Sequence, residues 1–111
     1  MKPLKTELAW AAGLFDGEGW IGINKLPSGH YLRMALMSTS KELVDRFHST
    51  IGVGKINGPY IVKDHKPAYQ WRASSKEAEQ VIELLSPYLA DYSLSRIESA
   101  KQKVWRKKSK G

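Results

Sequence analysis

Residues 11–19 read Ala11-Ala12-Gly13-Leu14-Phe15-Asp16-Gly17-Glu18-Gly19. Upstream, Leu4, Leu8, Ala11, Ala12 and Phe15 recur at spacings of three and four, which predicts a helix from Leu4 to Phe15. Pro3 precedes it, where a missing N–H does no harm, and Gly17 and Gly19 read as its end. Gly13 inside that helix weakens it by ~1 kcal/mol relative to alanine, so something should compensate. Ala9 and Gly13, or Ala12 and Asp16, lie one turn apart, and small side chains at that spacing let a second helix approach closely. Two acids, Asp16 and Glu18, then follow at the negative end of the helix dipole, an unfavourable place for a carboxylate. A bound divalent cation would relieve them, and oxygen ligands suit Mg²⁺. Taken alone, the acids also read as a polar loop flanked by glycines.

Downstream, Trp20 to Lys25 alternates, with Ile21 and Ile23 opposite Trp20, Gly22 and Asn24, as in a half-buried strand. Pro27-Ser28-Gly29 is a turn signal. Tyr31 to Ser38 alternates again, setting Leu32, Met34 and Leu36 against Tyr31, Arg33, Ala35 and Met37, so the two strands predict a hairpin. Ser40 to Ile51 reads as a helix capped by Ser40, with Leu43, Val44, Phe47 and Ile51 inward. Lys55 to Val62 and Ala68 to Ala73 form a second candidate hairpin across a charged loop, residues 63–67. Ser75 to Leu85 predicts a third helix with Ser75 as cap. Pro87 interrupts it, and Leu89 to Val104 predicts a fourth helix running into the C-terminal end.

The order is helix, hairpin, helix, hairpin, helix, helix: an α+β chain with an antiparallel sheet and helices on one face. The uncovered face would carry Trp20, Asn24, Tyr31, Arg33, Lys55, Asn57, Gln70 and Arg72. Basic, amide and aromatic groups are what phosphates and base edges require, although a merely solvated sheet face would read the same way.

A length of 111 residues suits one domain, taken as residues 1–100, followed by a basic tail, 101–111. The absence of cysteine excludes disulfides, thiolate metal sites and thiol catalysis. No apolar run approaches the ~18 residues of a membrane span, and the N-terminus lacks a secretory pattern, so an intracellular protein without a membrane partner is expected. The net charge of +7 is unevenly spread. Residues 20–72 hold eight basic and three acidic residues, a net of +5, and residues 101–111 hold six basic residues and no acid. A polyanion partner follows.

The segment Ala12 to Gly19 resembles the LAGLIDADG motif of homing endonucleases. Ile51-Gly52-Val53-Gly54-Lys55-Ile56 is similar to the family's link from second helix to third strand. Tyr69-Gln70-Trp71-Arg72 is similar to its fourth strand, and Leu84-Leu85-Ser86-Pro87-Tyr88-Leu89 to its helix-to-helix corner. The element order resembles the family's αββαββα core over roughly residues 8 to 100.

The resemblance implies that Glu18, the last acid of the motif, binds a catalytic Mg²⁺ or Mn²⁺, and that Asp16 is structural at a packed helix end. It implies that the motif helix is a dimer interface, through Ala9, Ala12, Gly13 and Asp16. A chain with one motif would then homodimerise and saddle the major groove of double-stranded DNA over a long, roughly palindromic site. The implied chemistry is metal-dependent phosphodiester hydrolysis of both strands, leaving 3′ overhangs, in the service of intron homing or a similar mobile element. Ser40 is the nearest match to a polar residue that the family places at the end of its second strand, near the catalytic water, and it reads equally as a plain helix cap. The lysine that the family often carries after the Pro-Tyr-Leu corner is absent; Tyr92 or Ser93 stands there, with Arg96 a turn later. That departure leaves open a weak or inactive DNA-binding relative, or an RNA maturase.

Overall fold

The computed structural model describes residues 3–106. Helix α1 (Lys5–Glu18) passes without a loop into strand β1 (Gly19–Leu26). The helix therefore runs three residues beyond Phe15. Glycine allows a helix to end but does not compel it, and Gly13 and Gly17 are both helical. The break falls at Gly19, whose N–H donates to the Phe15 carbonyl. A Cβ at Gly19 would lie 2.3 Å from the Phe15 ring, so only glycine lets the chain turn into the sheet there.

Strand β1 pairs with β2 (Gly29–Ser38), helix α2 (Lys41–Ile51) follows, and β3 (Lys55–Tyr60) pairs with β4 (Ala68–Ser74). Helix α3 (Lys76–Leu85), a 3₁₀ turn (Ser86–Tyr88) and α4 (Asp91–Gln102) complete the helical layer. The sheet order is β1-β2-β4-β3, with every pair antiparallel. This is the α+β architecture that the alternating patterns predict. Strand β3 stops at Tyr60, leaving Ile61 and Val62 exposed in the following loop. Ser40 caps α2 by accepting the Leu43 N–H at 3.3 Å. Ser75 makes no side-chain cap; its φ is 54° and its N–H donates to the Leu32 carbonyl.

A further strand was not foreseen. Helix α4 ends at Gln102, short of Val104, and the chain returns as β5 (Trp105–Arg106), pairing with Gly29 and His30 of β2. Strand β4 pairs only with Arg33 to Ser38, so β5 occupies the stretch of the β2 edge that β4 leaves free. Part of the expected basic tail thus belongs to the sheet; residues 107–111 lie outside the described residues.

The core lies between the sheet's inner face and the helices. Trp71 and Phe47 are fully buried at its centre, ring centroids 4.8 Å apart and edge-on, and Phe47 also stacks on Phe15 at 6.4 Å. The buried Trp71 indole donates to the Val53 carbonyl at 2.9 Å, so burial leaves its polar atom satisfied. Trp10 is half-buried under the Arg46 guanidinium, 3.8 Å from the ring centre. Trp105 is 47% exposed and lies against His30.

Candidate nucleic-acid interface

Strand register places the sheet's outward residues together. Trp20 lies opposite Ala35, Gly22 opposite Arg33, and Asn24 opposite Tyr31. On the other side of β2, Ala35 faces Arg72 and Met37 faces Gln70; Arg72 and Gln70 face Lys55 and Asn57 in turn. Side chains alternate along a strand, so all eight residues expected on the open face share it, while Ile21, Leu32, Met34, Leu36 and Trp71 share the buried one. One of the eight is partly engaged, since the Tyr31 and Ser28 hydroxyls bond at 2.8 Å, and the Asn57 amide nitrogen is buried with no partner among the described residues.

Two shallow grooves cross this face. The outer one, about 300 Å³, is lined by Asn24, Arg33, Lys55, Arg72 and Glu77, among others. Glu77 accepts the Gly54 N–H at 3.3 Å. Among the described residues none of the three cations forms an ion pair, so the groove keeps its positive potential. The inner groove, about 260 Å³, brings Glu18 together with Trp20, Arg33, Ala35, Met37 and Gln70. Arg33 belongs to both.

The two motif acids have different surroundings. The Asp16 carboxylate accepts the Ala90 N–H at 3.1 Å, at the start of α4, and the hydroxyl of the buried Ser93. The positive end of α4 thus offsets the negative end of α1, with no cation needed for Asp16. Glu18 is exposed and has no hydrogen bond or ion pair among the described residues. Replacing Asp16 by alanine should therefore lower stability by about 1–3 kcal/mol, because the buried Ser93 hydroxyl and the Ala90 N–H lose their acceptor. Glu18→Ala should stay within about 0.5 kcal/mol of the parent. Urea midpoints of the two variants measure the contrast.

The structure divides the residues expected at a dimer interface. Ala9 and Gly13 are exposed on α1, and Gly17 continues the same open face. A Cβ on Gly13 or Gly17 would meet nothing within 4 Å. Ala12 is instead fully buried in the chain's own core, because it shares the inward stripe of Leu8, Ala11 and Phe15. Asp16 is held within the chain, as described. Gly17, which adjacent glycines make read as a helix end, stands one helical turn from Gly13 on this face.

Ser40 does not line the inner groove, and its hydroxyl is engaged as the α2 cap. Lys41 bonds Asp45 at 2.7 Å, and this partner raises its pKa above the usual lysine value. Ser93, one candidate for the missing lysine's place, is buried against Asp16, and Tyr92 is half exposed. Among the described residues no three His, Asp or Glu side chains converge as a metal site.

No protein-family model matches the sequence, and no curated protein does. Solved structures do. The homing endonuclease I-CvuI in complex with its target, in the presence of Ca, superposes with a TM-score of 0.69 at 14% identity over 86% of this chain. The group I intron-encoded homing endonuclease I-CeuI, complexed with DNA, gives 0.69 at 12% identity over 92%. The LAGLIDADG meganuclease I-AabMI, bound to uncleaved DNA, gives 0.67 at 22% identity over 85%. The chain spans 64%, 55% and 35% of the lengths of those three proteins.

Proposed function

From the LAGLIDADG homing-endonuclease fold, which this chain has, we propose that two copies form a site-specific endonuclease for double-stranded DNA. The observation that carries this reading is Glu18. It is a carboxylate with no partner among the described residues, at a helix–strand junction, opening into the same groove as the outward side chains of the sheet. A carboxylate at the negative end of a helix dipole is a good cation ligand, because both attract the same charge. Three donors do not converge among the described residues, so Glu18 of a second copy and phosphate oxygens would complete the set. A bound Mg²⁺ or Mn²⁺ would supply an activated water and neutralise the leaving oxygen.

The chain's own residues hold the substrate. Arg33, Lys55 and Arg72 take phosphates or guanine edges, and Asn24 and Gln70 suit adenine. The open face of α1, through Ala9, Gly13 and Gly17, lets the helices of two copies approach and brings two Glu18 residues to the centre. A two-fold pair repeats its contacts, so the target is long and roughly palindromic. Cleavage of both strands leaves 3′ overhangs, and the protein acts inside the cell on a mobile element's target. No described helix is long and apolar enough to cross a membrane.

A second reading, a DNA-binding or RNA-splicing relative with little or no cleavage, is favoured by one observation. The corner after Leu89 presents Tyr92 and a buried Ser93 where a lysine would serve catalysis. Incubating the protein with a library of long randomised duplexes and Mg²⁺ separates the two. Site-specific double-strand cuts that vanish with a chelator support the nuclease; selection of a site without cutting in Mg²⁺ or Mn²⁺ leaves only the binder. On the selected site, Arg72→Ala should weaken binding by about 1–3 kcal/mol and relax preference at one base pair per half-site. Unchanged affinity in a filter-binding titration removes Arg72 from base readout.

A further inference from the structure

The two grooves on the outward face differ in chemistry. Cations line the outer one, whereas Trp20, Ala35 and Met37 form an apolar floor in the inner one, beside Glu18. Trp20 and Met37 are 44% and 45% exposed, large apolar side chains left in water on adjacent strands. The indole does not stand up from the sheet. A Cβ on Gly22 would lie 2.5 Å from the Trp20 ring, so the ring lies along the strand over Gly22. Ala35, opposite Trp20, is the small residue between the indole and Met37. The result is a shallow apolar depression with Arg33 at its border.

Arg33 lines both grooves, so a polyanion held in the cationic groove passes over the apolar one. In the major groove of a duplex, only one base edge presents an apolar group, the C5-methyl of thymine; the other edges present donors and acceptors that would lose hydrogen bonds over such a floor. We propose that Trp20, Ala35 and Met37 read thymine methyl groups at the positions of each half-site nearest Glu18. This inference rests on the DNA-binding reading above and gives it a base preference. The same floor accepts 5-methylcytosine, which presents the same methyl at the same place.

The test uses the full chain and a duplex it has selected. Thymines at the innermost positions of each half-site are replaced by deoxyuridine, which removes the methyl and nothing else. The wild-type protein should lose about fourfold in affinity for each methyl removed, the weight of one buried methyl group. Cytosine changed to 5-methylcytosine at those positions should gain by a similar factor. Trp20→Ala, and Met37→Gln as a variant of similar length, should bind thymine and uridine targets alike while keeping the wild-type circular dichroism. Equal binding of thymine and uridine targets by the wild type overturns the methyl reader. So does a Trp20→Ala protein that has become monomeric by light scattering, since the floor would then be a protein contact. A wild-type protein that binds no duplex at all overturns the DNA-binding reading with it, and the two failures are distinct.

Discussion

Glu18→Gln is expected to abolish strand cleavage while leaving the selected DNA site bound. The substitution keeps the shape of the side chain and removes its charge. Nothing in the described structure leans on that charge: Glu18 is exposed and bonds no neighbour. Removing an anion from the negative end of α1 should not destabilise the helix, and any gain should stay within about 0.5 kcal/mol. Loss of activity therefore cannot be put down to unfolding. The expected fall in cleavage rate is ~1000-fold or more, about 4 kcal/mol of transition-state stabilisation, the order associated with losing a metal that neutralises developing charge. Single-turnover cleavage and gel-shift titration on one preparation make the comparison. A Glu18→Gln protein that cuts at the parental rate would place the catalytic centre elsewhere.

Gly13→Leu should block the proposed pairing of α1 helices, leave a monomer and remove double-strand cleavage with it. A leucine at this position has space in one chain, since its Cβ would meet nothing within 4 Å. Replacing a helical glycine should raise helix stability by up to ~1 kcal/mol. The monomer should thus melt no lower than the parent, and the effect should fall entirely on association. In the dimer, a leucine would hold two α1 helices apart and separate the two Glu18 carboxylates. Light scattering reads the mass, and a cleavage assay reads the consequence. A variant that remains dimeric and active would move the interface off α1.

Much of this molecule is legible along the chain. The alternation of Trp20 to Lys25 and Tyr31 to Ser38 is a local property, and it correctly separates Ile21, Leu32, Met34 and Leu36 from the outward set. The apolar stripe of α2 and its Ser40 cap are likewise local, because each involves residues three or four apart. Ala12 shows the limit. Its spacing to Asp16 fits an interface as well as Ala9 to Gly13 does, and spacing does not say which side of a small-residue helix meets the sheet. Ser40 fits two roles in the sequence, and the cap is the one that a local contact shows: its hydroxyl accepts the Leu43 N–H three residues on.

The sequence by itself determined the order of elements from α1 to α4, the composition of both sheet faces and the identity of the motif acids. Each follows from periodicities of two or about 3.6 residues, or from the side chains' own chemistry. Tertiary structure alone decided that Asp16 is held by Ala90, a residue 74 positions away, while Glu18 has no partner among the described residues. It alone carried α1 on to Glu18, buried Ala12, laid the Trp20 ring over Gly22 and returned Trp105 to the edge of β2. Those outcomes depend on which distant groups chain closure brings within hydrogen-bonding or van der Waals reach. No local pattern encodes that.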